Sequence, residues 1–286
     1  MGHVAIFTDS TADMPPDVAA ANGITVVPLY VRFGQEEHRA GVDLSTEDFW
    51  KKMLAPGAPI PTTAAPSPGD FQKAFAAAFE AGADAIVATL IGTKLSATHQ
   101  SATLAAQAMP DREIHLIDTA STSMSTGIPA LQAAAMAREG RSAREIADEV
   151  TARLADGQLF VAVDTLEFLR KGGRLSAAQA MIGTVMSVKP IITVVDGAVT
   201  VAERQRARVK ARARVVELIA AQPIERLAIL HTPTSSPDEV GAFREQLLAA
   251  IPYGVDPAMV TTGLIGASTG PHLGPDLMGA AFLKRR

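Results

Sequence analysis

The 286-residue chain contains no cysteine. That excludes a disulfide framework, thiol catalysis, cysteine-ligated zinc and iron–sulfur clusters together, so any chemistry uses oxygen, imidazole or guanidinium groups. Aromatic residues are only 5% of the chain, with a single tryptophan, too few for a platform that stacks bases or sugars. A dominant charge is missing as well. The 26 Lys+Arg and 30 Asp+Glu leave a net charge of −4, so neither nucleic acid nor an anionic membrane surface is expected as a partner. The amino terminus MGHVAIFTDS lacks a basic segment followed by an apolar stretch, and uncharged stretches such as 119–137 are broken by Ser, Thr, Gln and Pro. No transmembrane segment and a cytoplasmic location are therefore expected. The patterns GxxxxGK[ST], GxGxxG and HExxH do not occur, which removes local support for nucleotide cradling and zinc hydrolysis.

Apolar residues make up 48% of the chain and charged residues 20%, with a mean hydropathy of +0.17, a composition that buries enough surface to fold. The length fits one large domain or two medium ones. In the first half, short apolar runs alternate with helical patterns, the grammar of βα units and a parallel sheet. Residues 4–7, 85–91 and 114–117 read as strands. Ser67-Pro-Gly-Asp70 opens a helix, with Ser67 as N-cap and Pro68 at its first position, and Phe71, Phe75 and Phe79 then mark one apolar face. Further helices are expected over 96–109, 129–138 and, from the capping box Ser142-Ala-Arg-Glu145, over 143–155. After Gly157 the pattern changes to a strand at 159–163, a short helix at 164–171 stopped by Gly172-Gly173, and a hairpin turning at Asp196-Gly197 with type I′ geometry. Strands at 227–231 and 259–262 flank a helix capped by Ser236-Pro-Asp-Glu239. A hairpin cannot be a parallel crossover. The expected fold class is α/β: a parallel-sheet amino-terminal domain over 1–157 and an α+β carboxy-terminal domain over 158–286.

Hydroxyl residues collect where the strands end: Thr8-Asp-Ser-Thr11, Gly92-Thr93 and Asp118-Thr-Ala-Ser-Thr-Ser123, with Thr62-Thr63 just before the phenylalanine helix. Ser and Thr are common caps and turn formers. As a set at the carboxyl ends of parallel strands, next to helix N-termini, they suit a small anion such as a carboxylate. Gly266-Ala-Ser268-Thr-Gly270 matches the nucleophile elbow, which raises a small hydrolase or transferase using Ser268 and His272 as an alternative. Its context is poor, because only 18 residues follow Ser268 and no distant acid and histidine come after it. His272 stands apart from the other five histidines by lying in a loop rich in Gly and Pro. Arg204, Arg206, Arg208, Lys210, Arg212 and Arg214 alternate with other residues. On a helix they would spread over a solvated surface, and a nucleic-acid face is the sharper reading.

Six segments in order resemble the DegV family: Thr8-Asp-Ser-Thr-Ala-Asp13, Thr63-Ala-Ala-Pro-Ser-Pro-Gly-Asp-Phe71, Leu95-Ser-Ala-Thr-His-Gln-Ser-Ala102, Asp164-Thr-Leu-Glu-Phe-Leu-Arg-Lys-Gly-Gly-Arg-Leu-Ser176, Lys189-Pro-Ile-Ile with Asp196-Gly, and Gly270-Pro-His-Leu-Gly-Pro275. The resemblance spans nearly the whole chain. It implies a two-domain protein that holds one long-chain fatty acid, such as palmitate or oleate, between its domains. It further implies a lipid-binding protein that is not itself an enzyme, has no cofactor or metal, and presents the fatty-acid carboxylate to a separate fatty-acid kinase in lipid metabolism. Carried over, the ligand contacts fall on Thr63, Thr93 and His272, with Arg206 as a fourth. The chain departs from the family pattern at Ala64-Ala65, where Ser-Gln is usual, at Gly92-Thr93 in place of Ser-Ser, and at Ala97 and Asp276, where Gly is usual. A partner surface is expected on Arg170, Lys171 and Arg174, three cations flanking Gly172-Gly173.

Overall fold

The computed structural model describes residues 2–175 and 188–286; Ser176, the last residue of the Asp164 motif, lies outside them. The architecture is two-domain α/β. Strands β1 (Val4–Asp9), β2 (Ile24–Val27), β6 (Ala85–Leu90) and β7 (Glu113–Asp118) form a parallel sheet in the order β2-β1-β6-β7. All six residues of β6 are buried, as a strand covered on both faces requires. Ile86, Ala88 and Leu90 face a layer built on Phe71, Phe75 and Phe79, while Val87 points into the opposite core.

A second sheet was not anticipated. Strands β3 (Tyr30–Phe33), β4 (Glu36–Arg39) and β5 (Thr62–Ala64) make a small antiparallel sheet in the order β4-β3-β5. They are three or four residues long and carry charged residues at exposed positions, so they lack the apolar run by which a strand is recognised.

The third sheet is mixed: β8 (Gly157–Ala162), β9 (Lys189–Val195), β10 (Ala198–Gln205), β11 (Ile224–His231), β12 (Val260–Leu264) and β13 (Met278–Lys284), in the order β10-β9-β8-β13-β11-β12. The β9–β10 hairpin turns at Asp196 (φ 49°) and Gly197 (φ 77°), the two positive angles a type I′ turn needs. Helices Arg208–Ala220 and Pro237–Ala250 cover one face of this sheet.

Helix Met124–Arg138 lies between the two large sheets, touching β1 and β6 on one side and β13, β11 and β8 on the other. It starts five residues before the expected position, with Pro129 inside it. Proline marks a helix start only where nothing else compensates the missing N–H. Here burial along almost the whole helix, through Gly127, Ile128, Ala130, Leu131, Ala133 and Ala134, outweighs that loss. Two other expectations shift. Helix Glu167–Lys171 excludes Asp164, because Thr165 Oγ1 accepts from the Glu167 N–H at 3.1 Å and starts the turn there. Helix Ala143–Arg153 stops before a 3₁₀ turn.

The basic run does not form one helical face. Arg204 is in strand β10, and the helix begins at Arg208. Arg208 meets Asp164 with Nη2 at 2.6 Å and Nε at 3.1 Å, Arg212 meets Glu239 at 3.1 Å, and Arg214 reaches both Glu203 and Glu217. Paired cations of this kind do not form the free basic stripe that nucleic acid selects. Asp276, where the family usually has Gly, holds φ 65°, and its carboxylate lies 3.4 Å from Arg208. Asp enters that region more readily than most residues.

Candidate ligand-binding site

Thr63 and His272, 209 residues apart, are in contact. Pairing with Val31 of β3 holds Thr63 in β5, and its Oγ1 lies 2.9 Å from His272 Nε2. Thr63 is thus presented by a strand edge, not by a loop leading into a helix. His272 sits on the single turn Gly270–Leu273, and the loop before it is fastened to the amino-terminal domain at three points. Trp50 Nε1 donates to the Ile265 carbonyl at 2.8 Å. Asp13 Oδ1 accepts from the Gly266 N–H at 2.8 Å and from Thr269 Oγ1 at 2.7 Å. Ser10 Oγ, which accepts from the Leu29 N–H, lies 2.6 Å from Ser268 Oγ.

Next to this pair is a pocket walled by the apolar side chains of Leu29, Ile91, Leu95, Leu169, Val199 and Leu273. Thr11, Ser96, Thr122, Ser268, Thr269 and Arg174 contribute to its lining. Two of these hydroxyls are already committed to buried carboxylates: Thr11 donates to Asp9 at 2.5 Å, and Thr269 donates to Asp13. Their acceptors being buried inside the protein, these threonines offer a guest mainly hydrocarbon.

The electrostatics of the site follow from burial. Burial first, and the Arg174 guanidinium second, push the His272 imidazole down to about 4, so it is neutral at neutral pH. Burial pushes the Asp13 carboxyl up to about 6, against the hydrogen bonds that Thr269 and Gly266 make to its ionised form. Asp9 is raised by burial in the same way. Arg174 lies across the cavity, with Nε donating to the Leu95 carbonyl at 3.2 Å and Nη1 to the Gly172 carbonyl at 2.6 Å.

The residues grouped at the sequence level separate here. Thr63 and His272 line the cavity together. Thr93 is exposed outside the lining, and its hydroxyl donates to Asp118 Oδ2 at 2.7 Å. Arg206 is exposed in the bend between β10 and the following helix, also outside the lining. Arg170 and Lys171 are on the surface, with Lys171 paired to Glu167 at 2.6 Å, whereas Arg174 turns inward. Its cavity position had no sequence signal, because a cation beyond a Gly-Gly turn reads the same whether it points in or out.

The hydrolase constellation does not assemble. Ser268 Oγ is engaged with Ser10, His272 Nε2 faces Thr63, and the buried His272 Nδ1 has no hydrogen-bond partner among the described residues. A relay needs the base within reach of the nucleophile and an acid behind the base. Among the described residues, no group of His, Asp and Glu is placed to hold a metal ion, and no helix is long and apolar enough to cross a membrane.

Comparison with known proteins gives a consistent result. The model of the DegV family, described as a family of uncharacterised proteins, matches residues 3–285. A DegV domain-containing protein of Streptomyces coelicolor is 34% identical over 287 residues, covering 99% of each chain. A DegV family protein of Thermus thermophilus, whose structure is described as showing fatty-acid binding, superposes with a TM-score of 0.88 at 33% identity over 100% of both chains. DegV of Bacillus subtilis, described as a fatty-acid-binding protein, gives a TM-score of 0.86 at 30% identity, again over 100% of both chains. The chain belongs to the DegV family.

Proposed function

We propose that this protein is a cytoplasmic carrier of one long-chain fatty acid. The acyl chain occupies the apolar cavity between the sheet systems, with the domains divided at Gly157, and the carboxylate rests on Thr63 and His272. The observation that carries the reading is the Thr63–His272 hydroxyl–imidazole pair beside a pocket walled by Leu29, Ile91, Leu95, Leu169, Val199 and Leu273. Burial of hydrocarbon returns about 0.8 kcal/mol per methylene, so the roughly fourteen methylenes of palmitate offer on the order of 11 kcal/mol before ordering costs. The tail supplies affinity, and the polar pair fixes the direction in which the acid lies. Relatives described as fatty-acid-binding at 33% and 30% identity support the same ligand class.

The carrier works with a separate fatty-acid kinase, which brings ATP to the presented carboxylate and converts it to an acyl phosphate. The protein supplies no nucleophile of its own in this reading. Arg170 and Lys171 form part of the kinase docking surface, while Thr93 and Arg206 are exposed outside the pocket lining. The test is extraction of the purified protein under denaturing conditions followed by mass spectrometry, together with binding of added palmitate and oleate. About one fatty acid per chain is expected. Recovery of none, with no binding of either acid, would sink the reading; ester hydrolysis lost in Ser268→Ala would favour the hydrolase in its place.

A further inference from the structure

We propose that Gly172 holds His272 as a neutral imidazole with its proton on Nε2, so that the ligand carboxylate meets a neutral hydrogen-bond donor and not an imidazolium. The inference deepens the fatty-acid reading and rests on it for the identity of the ligand. Its geometry is independent of that reading.

Two glycines let the turn after helix Glu167–Lys171 interlock with the turn Gly270–Leu273. A Cβ on Gly172 would lie 2.2 Å from His272 Nδ1 and 3.1 Å from the Phe168 carbonyl, and a Cβ on Gly274 would lie 2.2 Å from the Phe168 ring. The backbone of Gly172 therefore occupies the space beside Nδ1. Its N–H is turned away, donating to Phe168 at 2.8 Å, and its carbonyl accepts from Arg174. Among the described residues the buried Nδ1 has no hydrogen-bond partner, while Nε2 lies 2.9 Å from Thr63 Oγ1.

The chemistry of the two ring nitrogens decides the tautomer. A buried N–H without an acceptor costs more than a buried lone pair without a donor, so the proton belongs on Nε2, where Thr63 or a carboxylate oxygen accepts it. A second proton on Nδ1 would meet the same empty surroundings. It would also add a positive charge to a pocket that already holds Arg174. The other charged groups on the packed elements are Glu167 and Lys171, which pair with each other, and exposed Arg170. On the remaining side, the neighbours of Gly270 are the rings of Phe49 and Trp50. Among the described residues no carboxylate is placed to favour the charged form of the imidazole, in agreement with its depressed titration. With Arg174 as the permanent cation of the cavity, recognition of the head group does not depend on protonating the histidine.

The experiment is long-range ¹H–¹⁵N correlation of the histidine rings in the full-length protein. The His272 signals are identified by their loss in His272→Ala. The expected pattern is a protonated Nε2 and a bare Nδ1, unchanged from about pH 8 to about pH 5. Gly172→Ala should disturb that pattern and weaken palmitate binding by about tenfold, the scale of one lost hydrogen bond to a charged group. His272→Gln, whose amide N–H₂ reaches the Nε2 position, should recover part of the binding lost in His272→Ala. A proton on Nδ1, a titration near the ordinary histidine value, or an unchanged ring pattern in folded Gly172→Ala would each overturn the proposal. Failure of wild-type protein to bind palmitate, with the ring pattern as expected, would overturn only the ligand.

Discussion

Asp13 Oδ1 accepts a hydrogen bond from Thr269 Oγ1 at 2.7 Å, across 256 residues of chain. This bond ties the first turn after β1 to the loop that carries Ser268 and His272. Burial raises the Asp13 carboxyl to about 6, well above the ordinary carboxylate range. A folded-state value above the unfolded one means the native protein binds the extra proton, so this group adds stability as pH falls from about 6 to about 4, on the order of 3 kcal/mol. His272 acts in the opposite sense. Its value of about 4, below that of an ordinary histidine, removes stability over much the same window, because the unfolded chain takes up the proton first.

The two effects nearly cancel in the wild-type protein and are separable by substitution. Asp13→Asn should lose stability more steeply than wild type on acidification from pH 7 to pH 4, and His272→Gln less steeply. Urea midpoints across that range provide the measurement. Parallel curves for all three proteins would show that neither group has the environment described here.

The turn that carries His272 is packed as tightly on its other side. A Cβ at Gly270 would approach Phe49 Cε1 to 2.6 Å and Trp50 Cζ2 to 3.1 Å. Gly270→Ala should cost about 1–3 kcal/mol by overpacking, and the same change at Gly241, whose Cβ would have nothing within 4 Å, should cost nothing or stabilise its helix slightly. Thermal unfolding of the pair tests the contrast.

Arg174 and the cations just before it should behave differently. Arg174 lines the cavity and spans Leu95 and Gly172, so Arg174→Ala should lower fatty-acid affinity by about tenfold through loss of its charge and its hold on the turn. The exposed pair Arg170→Glu/Lys171→Glu should leave affinity unchanged and slow acyl-phosphate formation with a cognate kinase, more strongly at low salt. Equal affinity losses in both would place the whole segment in the ligand site.

Asp164 holds Arg208 at 2.6 Å and Lys189 at 3.0 Å, joining the end of β8 to β9 and to the start of the helix that follows the hairpin. Asp164→Asn should cost about 1 kcal/mol, since the pairs are partly exposed and Asn keeps one acceptor. The cost should shrink in high salt, which can be read from denaturant midpoints with and without added sodium chloride.

Much of this protein is legible in its sequence because the deciding interactions are local. Ser67, Ser142 and Ser236 each cap a helix through a box closed three residues later. Phe71, Phe75 and Phe79 share a face because four residues come close to a helical turn, and Asp196-Gly197 turns a hairpin because those two residues tolerate positive φ. The ordered motifs fix the family for a related reason: each is a short stretch whose meaning survives in one dimension. Tertiary structure decided what no local rule reaches. Thr63 meets His272 only because a three-residue strand pairs with β3 and a distant loop is pinned by Asp13 and Trp50. The pocket lining comes from eight separate stretches of chain that share no pattern. Thr93 turned to Asp118 and Arg174 turned inward because side-chain direction depends on which partner the folded chain brings within about 3 Å, the range over which hydrogen bonds act.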